Sequence, residues 1–161
     1  MARMRLSRRS EYGLRALTDL VRHEGEGPIA LATLAERNRL PAKFLEQIMS
    51  TLKHGGVVRT TLGAHGCYAI AADPTTFSFG RVIRLLDGAL APLGCVSLRY
   101  YEPCSCVDEA TCALRDTMLD VRDAMLEILD RETLADLAAR PGRASIDPQG
   151  IHADALAGRR P

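Results

Sequence analysis

The segment from Leu31 to Gly56 constrains this chain more than any other. Leu31, Leu34 and Ala35 recur at helical spacing in a short run that ends near Asn38, and Pro41 then stands where only a first helical residue tolerates proline. A longer helix follows from Pro41 to about His54, with Phe44, Leu45, Ile48, Met49 and Leu52 inward and Gly55 and Gly56 as its stop. Two helices joined by so tight a turn form a helix-turn-helix. The outer face of the longer one carries Lys43, Glu46, Gln47, Ser50 and Lys53.

The flanking segments extend this unit. Upstream, Leu14, Leu17 and Val21, with Ala16 and Leu20 beside them, give a helix from Ser7 that stops in the Gly25, Gly27, Pro28 cluster. Downstream, Val57 to Thr61 reads as a strand, Leu62 to Gly66 as a turn and Cys67 to Ala71 as a returning strand. Helix, helix, turn, helix, hairpin is the order of a winged helix-turn-helix. A further helix from Phe79 to about Leu86, with Ser78 as its cap, closes a domain spanning residues 4–87.

In such a domain the second helix of the pair enters the major groove, where polar side chains reach base edges and basic residues hold phosphates. Lys43, Glu46 and Gln47 are the base-contact candidates, since Gln pairs with adenine and Glu accepts from cytosine. Arg5, Arg8, Arg9, Arg39, Lys53 and Arg59 are the phosphate candidates; the plainer reading of each is a solvated helix face.

The net charge of +1 hides a segregation that bears on this partner. Up to Thr61 the chain holds 11 Lys and Arg against 6 Asp and Glu, net +5; the remainder holds 10 against 14, net −4. A basic helical half joined to an acidic half suits a DNA-contacting module attached to a regulatory or dimerising one. At 161 residues the chain has room for one small domain plus an appendage. Aromatics are only 4% with no Trp, so the core is aliphatic and mainly α. No apolar run reaches the roughly 18–20 residues that cross a bilayer, and MARMRLSRRS lacks a secretory apolar stretch, so a cytoplasmic location without a membrane is expected.

Residues 88–111 lose periodicity and hold three of the five cysteines, which marks a functional loop. From Cys112, Leu114, Met118, Val121, Met125 and Ile128 step by 4, 3, 4 and 3, a heptad seam. A seam without an evident partner in so short a chain implies a homodimer; the plainer reading is a seam that packs on the chain's own winged helix. Residues 112–140 are thus expected to be a dimerisation helix with a short helix after it, and residues 141–161 a flexible tail.

Five cysteines in a cytoplasmic chain point to metal or redox chemistry rather than to structural disulfides. Cys95, Cys104, Cys106 and Cys112 are separated by eight, one and five residues, which is no zinc signature. Iron–sulfur clusters accept such irregular loops. Cys67, beside Tyr68 on the wing, reads as a small hydrophobe or a lone thiol.

Four stretches together resemble the Rrf2 family of bacterial transcription regulators over roughly residues 4–137: MRLSRRSEYGLRAL, LAERNRLPAKFLEQIMSTLKHGGVVR, GCYAIA and FGRVIRLLDG. Members of that family include iron–sulfur sensors of cluster status, nitric oxide, iron or redox state. The resemblance implies three ligand cysteines before the dimerisation helix. Cys106 and Cys112 keep the family's five-residue interval and Cys95 matches the first, over a longer gap, which leaves Cys104 extra. Where some members have a fourth-ligand histidine, this chain has Arg115. Others use a carboxylate from the partner's first helix, here at Glu11, although Arg15 four residues on gives Glu11 an ordinary ion-pair role. Otherwise Cys104 completes a four-thiolate set. The wing tip, TTLGAHG, departs from an arginine-glycine-rich pattern and leaves His65 as its polar side chain for a narrow minor groove.

The expected function is therefore a dimeric repressor on a pseudo-palindromic double-stranded operator, controlled by an iron–sulfur cluster, [2Fe-2S] favoured over [4Fe-4S]. A regulator switched by a thiol–disulfide change, with Arg99 and Arg115 favouring thiolates, is the alternative. An iron–sulfur electron carrier ranks below both. No Gly-rich phosphate loop or acid–base constellation suggests an enzyme.

Overall fold

The computed structural model describes residues 6–61 and 66–141. The Ser7 hydroxyl accepts the Ser10 N–H and starts helix α1, Arg8–Arg22, whose Leu14, Leu17 and Leu20 are buried. Pro28 leads into a two-residue strand β1, Ile29–Ala30, and directly into α2, Leu31–Asn38. The turn that follows is made by Arg39 at φ 52°, a left-handed conformation that Gly usually supplies; it lets the Leu40 N–H reach back to the Ala35 carbonyl at 2.8 Å. Pro41 caps α3, Ala42–His54, so the helix begins one residue later than the periodicity predicts.

Strands β2, Val58–Thr61, and β3, Cys67–Ile70, pair antiparallel with Val58 opposite Ile70 and Thr61 opposite Cys67. The hairpin expected from the sequence is extended here to three strands in the order β1-β3-β2, because Ile29 and Ala30 pair with Tyr68 and Cys67. A two-residue strand is too short for any alternation to reveal. The wing turn from Leu62 to His65, Arg5, and the expected tail beyond Pro141 lie outside the described residues.

Ser78 caps α4, Phe79–Asp87, as its sequence suggests. The core is aliphatic: Leu17, Leu34, Leu45, Ile48, Met49, Leu52, Val57, Val82 and Ile83 are all at most 1% exposed. Each such side chain removed from water contributes about 1.5–3 kcal/mol, which is why so few aromatics suffice. Beyond α4 the loop contains a 3₁₀ turn, Gly94–Val96, and leads to α5, Ala113–Arg131. A last helix, α6, Leu134–Ala139, opens on a capping box between Thr133 and Asp136. It returns to α1, with Leu134 fully buried and Arg22 Nε donating to the Ala138 carbonyl at 2.9 Å.

Helix α5 is different in kind: over its whole length it buries no residue, and Leu114 and Ile128 of the heptad seam are 59% and 52% exposed. It joins the rest through Leu129, packed against the core, and through Arg84–Asp130. Among the described residues no helix is long and apolar enough to cross a membrane.

Candidate functional site

Burial of Leu45, Ile48, Met49 and Leu52 fixes the rotation of α3 and turns Lys43, Glu46, Gln47, Ser50 and Lys53 outward together. Arg59 on β2, Arg8 at the start of α1 and Arg39 in the turn are exposed as well. The Arg9 guanidinium instead donates to Thr51 Oγ1 at 2.5 Å and its Nε is buried, so this arginine ties α1 to α3 rather than standing open to a phosphate. Burial pushes the Tyr68 hydroxyl above its ordinary pKa, and the charge of Glu46 adds to the effect.

The second constellation lies between α4 and α5. The sulfurs of Cys104, Cys106 and Cys112 are within 4.8 Å of one another. Cys95, held in the 3₁₀ turn and 5% exposed, stands near Cys104 at the edge of this group. Cys104, which the family resemblance left as extra, is thus one of the three converging sulfurs. Folding brings these three together with Cys95 near Cys104, while every cysteine stays free of disulfides.

Backbone groups already serve these sulfurs. The Cys106 N–H donates to Cys104 Sγ at 3.4 Å, and the Arg115 N–H donates to Cys112 Sγ at 3.5 Å, so Cys112 caps α5 and lies at its positive end. Hydrogen bonds from Cys106 and the other thiols hold Cys104 below the ordinary thiol pKa. The cost falls on its donors: Cys106, bonded to Cys104 and then desolvated, is pushed up to about 12, and burial followed by its bond to Cys104 raises Cys95.

Two further groups shape the loop and carry no signal in cysteine spacing. Glu109 accepts from the Tyr101 hydroxyl and from the Cys104 N–H, the latter at 3.3 Å, and lies 3.8 Å from Arg115 Nε. Arg115 therefore faces a carboxylate. Arg122, on α5, donates to the Val96 carbonyl at 2.9 Å and clamps the turn that carries Cys95. A carboxylate set between two cysteines of a cysteine-dense loop was the available clue to Glu109; nothing local in the sequence indicates Arg122.

Glu11 does not join the sulfur group within the chain. It faces Arg15 across α1 at 3.7 Å, with both side chains about half exposed. It also lines a groove of about 480 Å³ with Leu6, Leu14, Arg15, Phe79 and Leu137. Cys67 is half-buried on β3 opposite Ala30 and Thr61, away from the others in sequence.

Soft sulfur donors that converge, stay partly open to solvent and already accept backbone N–H bonds fit iron or an iron–sulfur cluster. The Rrf2 family model, described as an iron-dependent transcriptional regulator, matches residues 6–140. The chain is 35% identical to the HTH-type transcriptional regulator CymR of Bacillus subtilis over 136 residues, 84% of this chain and 91% of that protein. It is 28% identical to the regulator IscR of Pectobacterium atrosepticum, over 83% of this chain and 79% of that one. The solved structure of B. subtilis CymR, titled the global cysteine regulator, superposes with a TM-score of 0.72 at 32% identity, covering 87% of this chain and all of that one. IscR of T. potens gives 0.66 at 29% identity, with coverage of 88% and 94%. These relatives are transcriptional regulators that share the winged-helix arrangement, and the chain belongs to the Rrf2 family of transcriptional regulators.

Proposed function

We propose that the protein is a homodimeric repressor of a pseudo-palindromic operator, and that an iron–sulfur cluster on its cysteine loop sets its affinity for DNA. The observation that carries the cluster is the convergence of Cys104, Cys106 and Cys112 within 4.8 Å, with Cys95 beside them. Cys95, Cys104, Cys106 and Cys112 form the preferred ligand set, because three of them converge within one chain with Cys95 near Cys104, whereas Glu11 lies apart and faces Arg15. A bound cluster supplies a one-electron change of charge and lability to oxygen or nitric oxide; [2Fe-2S] remains favoured over [4Fe-4S].

The chain's own residues provide the link to DNA. Cys112 caps α5, so a shift of its sulfur moves the first turn of that helix. Asp130 near the other end of α5 grips Arg84 on α4, and α4 is embedded in the DNA-binding core through Val82, Ile83 and Leu86. On α3, Lys43, Glu46 and Gln47 read bases; Arg8, Arg39, Lys53 and Arg59 hold phosphates, with Arg5 and His65 assigned the flanking contacts.

Protein purified without oxygen tests this reading through its visible spectrum, iron and sulfide content, and operator binding before and after dithionite. Visible bands that bleach on reduction, with a change in DNA affinity, are expected. Loss of the cluster in Cys104→Ala with retention in Glu11→Ala assigns the ligand set, and the reverse pattern returns the role to Glu11. A second reading also has a specific observation behind it: free thiols this close need only small movements to form a disulfide. Colourless protein whose DNA affinity changes with oxidation, and which holds no iron after reconstitution, replaces the cluster with that thiol switch.

A further inference from the structure

Glu109 is the acceptor around which the cysteine loop closes. Its three partners come from different parts of the site: the Tyr101 hydroxyl from the stretch between Cys95 and Cys104, the Cys104 N–H from within the sulfur group, and Arg115 from the first turn of α5. Cys104 and the helix capped by Cys112 are thereby tied to one carboxylate. Arg115 Nε is buried with no hydrogen-bond partner, and Glu109 is the carboxylate that faces it.

Resting on the cluster reading, we propose that Glu109 is a positioning residue that also tunes the centre: it fixes the spacing of Cys104 and Cys112 and makes the bound cluster harder to reduce. A negative charge one residue contact away from a centre that gains an electron opposes that gain, and partial burial keeps water from screening it fully. The geometry permits this without ligation, since the Glu109 oxygens stand outside the sulfur group whose members lie within 4.8 Å of one another. Arg115 holds the carboxylate in place from the first turn of α5.

The test uses the full chain loaded with cluster, in wild type, Glu109→Gln, Glu109→Asp and Tyr101→Phe. Gln keeps the size and an acceptor oxygen but not the charge, whereas Tyr101→Phe removes a loop hydrogen bond and keeps the charge. The expected result is a midpoint potential shifted positive in Glu109→Gln and unmoved in Tyr101→Phe at equal iron and sulfide content. An unmoved potential in loaded Glu109→Gln overturns the proposal while leaving the cluster reading intact. If Glu109→Gln fails to load, loading restored by Glu109→Asp supports the proposal and failure of both overturns it. Wild type that never takes up iron and sulfide overturns the cluster reading and this proposal together.

Discussion

Arg84 and Asp130 meet through two parallel hydrogen bonds, each 2.6 Å long, that join α4 to α5. The guanidinium holds the Asp130 carboxyl below its ordinary value of 3.8. A carboxylate whose folded pKa is depressed stabilises the fold above its unfolded pKa, and that contribution disappears as pH falls through the folded value. Stability measured by urea unfolding between pH 7 and 3 is therefore expected to decline below about pH 4. Asp130→Asn should start lower and lose less over that range; an identical decline in both proteins would show that the pair is not coupled to folding. The effect is small, because Asp130 is 44% exposed.

Gly80 lies beneath this pair. A Cβ there would collide with Asp130 Oδ1 and come within 3.2 Å of the Leu129 carbonyl. Helix propensity alone would make Gly80→Ala stabilising by about 0.5–1 kcal/mol. Overpacking costs about 1–3 kcal/mol and wins, so thermal unfolding of Gly80→Ala is expected at a lower temperature than wild type. A higher melting temperature would mean that α5 yields freely at this contact.

On the DNA face, Gln47 and Lys53 separate two kinds of contact. Gln47→Ala is expected to cost about 1–3 kcal/mol on the operator and to relax preference at one base pair. Lys53→Ala should weaken binding evenly across sequences and reduce the salt slope by about one. Binding titrations at several salt concentrations, on operator and scrambled duplexes, check both. Equal behaviour of the two variants would move base reading away from the exposed face of α3.

Much of this architecture was legible in the residues. Ser7 and Ser78 cap the helices their positions suggest, and the glycines and Pro41 punctuate α2 and α3 to within one residue. These are local signals, set by backbone sterics and capping. The third strand escaped notice because Ile29 and Ala30 acquire their pairing only from Tyr68 and Cys67, far along the chain. Within the cysteine loop, the family resemblance left Cys104 extra; folding puts it among the converging sulfurs and leaves Cys95 outside that trio, in a turn anchored by Arg122. Such contacts depend on the loop's path, which side-chain periodicity does not encode.

The two exposed residues of the α5 seam give an association test. Leu114→Lys with Ile128→Lys places two charges on side chains that are 59% and 52% exposed in one chain, so the protomer fold should survive. Analytical ultracentrifugation is expected to give a dimer for wild type and half that mass for the double variant, whose operator affinity falls accordingly. A wild-type monomer at micromolar concentration would remove dimerisation from the mechanism.

The return of α6 to α1 has a consequence for how the protein is made. Leu134 is fully buried, its N–H bonds the Phe77 carbonyl at 3.0 Å, and the Arg22 side chain of α1 is held by the Ala138 carbonyl at 2.9 Å. Helix α1 is translated well before α6, so the surface the two share stays open until α6 has been made. The helix-turn-helix is thus covered by a helix that lies far along the chain from it. A polypeptide that stops before α6 lacks that closing layer even when every outward-facing residue of α3 is present, so the two ends of the described fold depend on each other for burial.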